Sequence, residues 1–280
     1  SSLRLVSSPL SFCGPGSARP MSDQSQTRSS AQESTAPVNS APWWDERFAP
    51  GGTWETSGGR QQTRLFAEAL CRHIDLQPGG AFTLCDVGCA LGEALNVFKR
   101  KFPQAILFGI DFSSTAISRC KAENPGLAEF SVGSFESLSR QFDVIYASNI
   151  LEHFLDYEEK TRVLLAHCQR LLVMVPFREP LASEPDELSP GSVHRHSFSE
   201  RSFDFLIAQG LACSVDFKVM SCPGAWGWTW KERLTEKAKN LVRRLLSGWQ
   251  SIEPLQIIFD IARARTDGGD GTVPMRSSEE

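Results

Sequence analysis

Three groups of side chains stand out in this sequence by type and spacing. In the first, Asp86 stands just before a turn built on Gly88 and Gly92, and Asp111 closes the apolar segment that follows. A glycine turn lets a ligand approach the backbone, and a carboxylate at the end of the next strand can accept both hydroxyls of a ribose. That is the chemistry of holding a nucleoside. The second group is His153, His194 and His196, imidazoles that titrate near neutral pH and can take a proton from an alcohol or phenol. The third is aromatic: Trp43, Trp44 and Trp54 ahead of the glycine turn, and Trp226, Trp228 and Trp230 well after it. Such faces stack on planar rings and on sugar C–H surfaces.

The elements that must position these groups are legible from hydrophobic periodicity. Strands are expected at 82–87, 105–110, 129–132, 144–147, 171–175, 213–220 and 255–262. Helices are expected at 62–74, 93–101, 114–121, 157–170 and 199–208. Short, mostly apolar strands alternating with helices specify an α/β fold: a doubly wound, mostly parallel sheet with helices on both faces. The last strand returns after a long excursion, which suggests an antiparallel closing pair with an insertion. Leu91, Leu95, Phe98 and Phe102 recur at helical spacing after the glycine turn, so that helix packs one face on the sheet.

The bulk properties exclude some functions. A chain of 280 residues that is 41% hydrophobic buries one substantial core, and charged residues interrupt every apolar run before it reaches membrane-spanning length. A formal charge of −4 supplies no global field for nucleic acid. The eight cysteines form no CxxC pair or zinc spacing. They are expected as reduced core thiols in a cytoplasmic protein, with Cys85, Cys168 and Cys213 in or beside apolar segments. No metal is expected, because Glu152, His153, His194 and His196 lack helical ligand spacing.

Residues 1–41, rich in Ser, Pro, Gln, Thr and Ala, are expected to form a disordered arm. Its first twenty residues read either as a transit peptide or as translated sequence upstream of a start at Met21. The second is favoured because Pro9, Gly14, Pro15, Gly16 and Pro20 would break an import helix. A domain over 42–266 follows, with order beginning near Trp43. It contains a Trp-rich basic helical insertion at 225–250 whose 226–246 part could touch an anionic membrane surface. A polar tail at 267–280 is expected to be flexible.

What the glycine turn lacks narrows its ligand. A dinucleotide fingerprint wants glycine two and five positions beyond Gly88, where Ala90 and Glu93 stand, and no GxxxxGK[ST] occurs. Asp86 would repel a pyrophosphate but suits a cationic amino group, which points to a sulfonium amino acid.

With these residues in hand, the chain resembles a class I S-adenosylmethionine-dependent methyltransferase over about residues 60–222. The resemblance rests on Asp86-Val87-Gly88-Cys89-Ala90-Leu91-Gly92, Gly109-Ile110-Asp111, Phe142-Asp143-Val144-Ile145 and Leu151-Glu152-His153. It implies S-adenosylmethionine as cofactor. Asp86, Gly88 and Gly92 would hold its methionine part with Cys89 and Ala90 in the same loop, and Asp111 its ribose. Phe112 and the turn carrying Ser134 and Phe135 would lie against adenine, and Asn149 joins the set after the fourth strand. Ala90 replaces a common glycine, and Ser134 stands where many relatives have an aspartate; a hydroxyl can still accept the adenine amino group.

The resemblance implies transfer to a small hydroxylated acceptor such as a sugar, glycan precursor or natural product, with His153, His194 or His196 as base. C- or N-methylation of a quinone or lipid-like metabolite is the alternative, and a noncatalytic cofactor-binding relative is the contrasting class. A nucleic-acid acceptor is not expected, since Ser148-Asn149-Ile150-Leu151 replaces an Asn/Asp-Pro-Pro-aromatic motif. The oligomeric state is left open.

Overall fold

Seven short apolar strands assemble into a single sheet in the computed structural model, which describes residues 36–76, 80–179, 181, 194–221 and 255–264. The strands are β1 (Thr83–Val87), β2 (Ile106–Asp111), β3 (Glu129–Val132), β4 (Phe142–Ser148), β5 (Cys168–Pro176), β6 (Ala212–Ser221) and β7 (Leu255–Arg263). Their order is β3-β2-β1-β4-β5-β7-β6. The first five are parallel, and β7 runs antiparallel to both neighbours, as the sequence pattern implied.

The helices are α1 (Ala41–Phe48), α2 (Thr53–Thr56), α3 (Gly59–His73), α4 (Glu93–Lys101), α5 (Ser114–Glu123), α6 (Tyr157–Ala166) and α7 (Asp204–Ala208). Among the described residues two large apolar cores result, with a smaller cluster of Phe48, Ala90, Leu91 and Ala116. One packs α3 and α4 on the sheet through Phe66, Leu70, Leu95 and Phe98. The other holds Leu164, Leu165, Phe198, Phe203 and Phe259. In α4 the buried residues Ala94, Leu95, Val97 and Phe98 lie on one side, and Lys99, Arg100 and Lys101 in the last turn complement the helix dipole. Its bounds match the expected helix.

Two helix expectations are corrected. The helix expected to run to residue 170 stops at Ala166, and β5 begins at Cys168. The misassigned residues are 168–170: Cys168 and Arg170 pair with Phe142 and Val144 of β4, and the Arg170 guanidinium is held by Asp260 of β7, tertiary contacts that outweigh a local helical pattern. The helix expected over 199–208 is helical only from Asp204. There the stacking of Phe198 on Phe203 (5.9 Å between centres) and a Ser199 N–H to Ser202 hydroxyl hydrogen bond impose turns first.

Cys85, Cys89, Cys120 and Cys168 are free buried thiols, but Cys213 is exposed because β6 is the edge of the sheet and turns part of its side chains outward. The chain is helical from Ala41, capped by Ser40. The 225–250 insertion, its 226–246 surface and the 267–280 tail lie outside the described residues, as does most of the 1–41 arm. Among the described residues no helix is long and apolar enough to cross a membrane.

Candidate functional site

The chain leaves β1 toward β2 and β3 on one side and returns to β4 on the other, so a crevice opens where the strand order reverses. The cleft is there. Asp86, Gly88, Ala90, Asp111, Phe112 and Asn149 all line its deeper part. Ser134, Phe135 and Glu136 line a continuation that shares Gly88, Asp111 and Phe112. Two expected members stand back from the wall. Cys89 is wholly buried in the core, and Gly92, with φ +84°, starts α4, so each acts through the course of the loop.

Gly88 sets that course. It has φ +78°, and a Cβ there would lie 2.6 Å from Ile150 Cγ2. Gly88→Ala is therefore expected to destabilise the protein by about 1–3 kcal/mol and to weaken ligand binding, checked by chemical denaturation and calorimetry. Ala90 is also left-handed, with φ +49°. The methyl fits in the loop, at a conformation that costs a non-glycine residue about 1–2 kcal/mol.

Asp111 ends β2 with only 4% of its surface exposed. Its two carboxylate oxygens accept the backbone N–H groups of Ala90 (3.0 Å) and Ser113 (2.9 Å). The N-cap of α5 is Ser113, whose hydroxyl accepts from Ala116 N–H. Each Asp111 oxygen keeps a lone pair for a ribose hydroxyl. Burial raises its pKa to about 6, against the two backbone hydrogen bonds.

Asp86 is buried deeper, at 2% exposure, and its Oδ2 has no hydrogen-bond partner among the described residues. Burial, then the neighbouring Asp111 and Glu93 charges, push its pKa well above the usual carboxylate range. An orphaned buried carboxylate on the cleft wall is the environment that a cationic amino group satisfies.

At the other end, the Ser134 hydroxyl donates to Glu136 Oε2 at 2.6 Å, which leaves the Ser134 oxygen as an acceptor for an amino group. Lys160 pairs with the same glutamate, and the Lys160 and Ser134 hydrogen bonds hold its pKa near 2. Glu136 escaped the sequence reading because an exposed Glu in a turn carries no pattern.

The segment ahead of the nucleoside cradle forms one wall. Trp44, Phe48 and Trp54 line the cleft. Trp44 stacks on Phe48 (5.4 Å) and meets Trp54 (5.9 Å) and His153 (6.3 Å) edge to face. Asp45 pins α1 to the start of α5 by accepting from the Ser113 hydroxyl (2.5 Å) and Thr115 N–H (2.9 Å). No Lys or Arg occurs among the described residues that line the cleft.

Of the three histidines, only His153 lines the cleft. His194 stands behind it, 5.0 Å between ring centres. Its Nδ1 is hydrogen-bonded to Glu179 Oε2, and its Nε2 lies 4.0 Å from Glu152 Oε1. Burial opposes the charged form of His194, but the Glu179 hydrogen bond and the Glu152 charge outweigh it and raise its pKa. Burial takes the Glu152 carboxyl up to about 7.

His196 shares the inward side of this extended segment but packs on Tyr157 (4.2 Å) and Phe198 (5.9 Å), away from the cleft. The expectation that it acts beside His194 is corrected accordingly. So is the ground for excluding a metal: Glu152, His153 and His194 have no ligand spacing along the chain, yet two loops bring them together.

Residues 85–173 match a family model described as a methyltransferase domain. A trans-aconitate 2-methyltransferase of Deinococcus radiodurans is 30% identical over 101 residues, covering 35% of this chain and 39% of that protein. The match thus spans about two fifths of the curated relative's length. Among solved structures, a chain of the Haloferax volcanii complex containing the Trm112 methyltransferase activator aligns with a TM-score of 0.52. It is 15% identical, over 76% of this chain and 97% of that one, and shares the fold. The plantazolicin methyltransferase BpumL, solved with SAH and a pentazolic desmethylPZN analog, aligns at 19% identity and a TM-score of 0.47. That alignment covers 76% of this chain and 88% of that one.

Proposed function

We propose that this chain, whose residues 85–173 match a methyltransferase-domain family model, transfers a methyl group from S-adenosylmethionine to an oxygen of a small, uncharged, hydroxylated acceptor such as a sugar, glycan precursor or natural product. The observation that carries the acceptor class is the composition of the cleft. An aromatic wall of Trp44, Phe48 and Trp54 faces a site with no Lys or Arg among its described lining residues. Aromatic faces suit a sugar ring or a planar natural product. The Deinococcus relative is named for an acidic acceptor, and such an acceptor would call for an Arg or Lys.

When bound, S-adenosylmethionine supplies an electrophilic methyl group on a sulfonium. The chain's own contribution is positioning and exclusion of water. Asp86 receives the ammonium group, Asp111 the ribose, and the Phe112, Ser134 and Phe135 surface the adenine. Cys89 and Gly92 keep the loop in shape, and Asn149 presents an Oδ1 that lacks a hydrogen-bond partner. The acceptor lies against Trp44, its reactive hydroxyl toward His153, with Glu152 and His194 behind. In the transfer an oxygen–carbon bond forms, the carbon–sulfur bond breaks, and the hydroxyl proton leaves toward that polar group.

The test is transfer of labelled methyl from S-adenosylmethionine to a panel of neutral sugars, phenols and carboxylic acids, with the product resolved by mass. An O-methylated neutral product supports the reading. A methyl ester as the sole product overturns it. Trp44→Leu is expected to raise the acceptor KM about tenfold with the Kd for S-adenosylmethionine unchanged, measured by steady-state kinetics and calorimetry.

A further inference from the structure

Glu152 is fully buried, and among the described residues neither of its carboxylate oxygens has a hydrogen-bond partner. A charge in that position is strongly unfavourable unless a cation compensates it. The groups beside it are imidazoles: one ligand atom each from Glu152, His153 and His194 lie within 4.8 Å of one another. The 4.0 Å between His194 Nε2 and Glu152 Oε1 is too long for a hydrogen bond. Two ligand atoms bound to one metal at about 2.0–2.2 Å lie roughly 3.0–3.5 Å apart, so a small inward movement of the two side chains would bring both onto an ion.

The second shell has the same logic. His194 Nδ1 is hydrogen-bonded to Glu179; with Nδ1 donating to that carboxylate, the neutral imidazole turns its Nε2 lone pair toward Glu152. A carboxylate behind a histidine is how proteins orient a metal-binding imidazole. The backbone holds the arrangement in place, because the N–H groups of Arg195 (2.6 Å) and His196 (3.2 Å) both donate to the Glu152 carbonyl. They tie the segment carrying His194 to the short helical turn, Leu151–His153, that carries the other two ligands.

We propose that Glu152, His153 and His194 bind a divalent first-row transition-metal ion beside the cleft, with Glu179 as a positioning residue. Two imidazoles and one carboxylate suit such an ion better than Mg²⁺ or Ca²⁺, which prefer all-oxygen sites. Three protein ligands leave coordination positions open, and His153 puts the ion next to the cleft wall, where an open position can take an acceptor oxygen. That last role rests on the methyl-transfer reading; the metal site itself does not.

The experiment is titration of the purified full chain, without a histidine tag and pre-treated with chelator, with Co²⁺. It is followed by visible absorption in the absence of cofactor and acceptor. One equivalent of Co²⁺ should bind and give ligand-field bands. His194→Asn and Glu152→Gln should each abolish the bands, and Glu179→Gln should weaken binding by about 10- to 100-fold. S-adenosylmethionine binding, measured in parallel, should persist in His194→Asn and report that the fold is intact. Absence of Co²⁺ uptake by the unaltered chain would overturn the metal site and leave the methyl-transfer reading standing. Uptake undiminished in His194→Asn would overturn it equally.

Discussion

Replacing Asp111 with Ala is expected to weaken S-adenosylmethionine binding by about two orders of magnitude. Two ribose hydroxyls donating to one buried carboxylate are together worth about 3 kcal/mol when hydrogen bonds to a charged group contribute roughly 1.5 kcal/mol each. Asp111→Asn, which keeps one acceptor oxygen and much of the local hydrogen bonding, should lose less.

The same residue gives a pH dependence. Its pKa of about 6 belongs to the free protein, and ribose hydroxyls favour the carboxylate form. Binding therefore releases a proton below pH 6. Affinity should rise as pH increases toward 6 and level off above it, and calorimetry across pH 5 to 8 should show that rise in the unaltered chain and lose it in Asp111→Ala. Equal affinity in the two proteins would remove Asp111 from the ribose contact.

Asp86→Asn is expected to move stability and binding in opposite directions. Burial raises the Asp86 pKa in the folded protein above its ordinary value of 3.8, so at neutral pH this carboxyl disfavours folding, and the cost fades as pH falls toward 3.8. An amide has no such cost. The variant without cofactor should melt about 2–4 °C higher at pH 7, and this advantage should shrink on acidification.

Its cofactor affinity should nevertheless fall by roughly 30- to 100-fold, because an ammonium group would lose its buried counter-charge, worth about 2–3 kcal/mol. Thermal melts with and without S-adenosylmethionine read both effects. A variant that is more stable and binds as tightly as before would show that Asp86 is a buried structural acid with no ligand.

The loop to which nucleoside binding is assigned was legible because its pattern is local. A strand, a glycine turn and a carboxylate at the end of the next strand are contiguous or repeat at fixed intervals, and Asp86, Gly88 and Asp111 need no distant element to be recognised. The sheet was legible for a related reason: each strand is an apolar run with its own turn signals, and the β7 return could be inferred from the excursion before it.

The acceptor side was not legible in the same way. His194 meets Glu152 only because two backbone N–H groups of residues 195 and 196 bind the Glu152 carbonyl, a pairing between segments about forty residues apart that leaves no trace in either. His194 and His196 look equivalent in sequence, and only the aromatic cluster around Tyr157 separates them. Trp44 was visible as an unusual residue, but its place on the cleft wall follows from Asp45 binding the Ser113 hydroxyl and Thr115 N–H at the start of α5, a contact between elements that no periodicity encodes.

We propose that this cleft binds S-adenosylmethionine through Asp86 and Asp111. Calorimetric titration of the purified full chain with S-adenosylmethionine at pH 7 tests it most directly. One saturable site, lost or strongly weakened in Asp111→Ala, is the expected result. No binding of either S-adenosylmethionine or S-adenosylhomocysteine by the folded chain would contradict it.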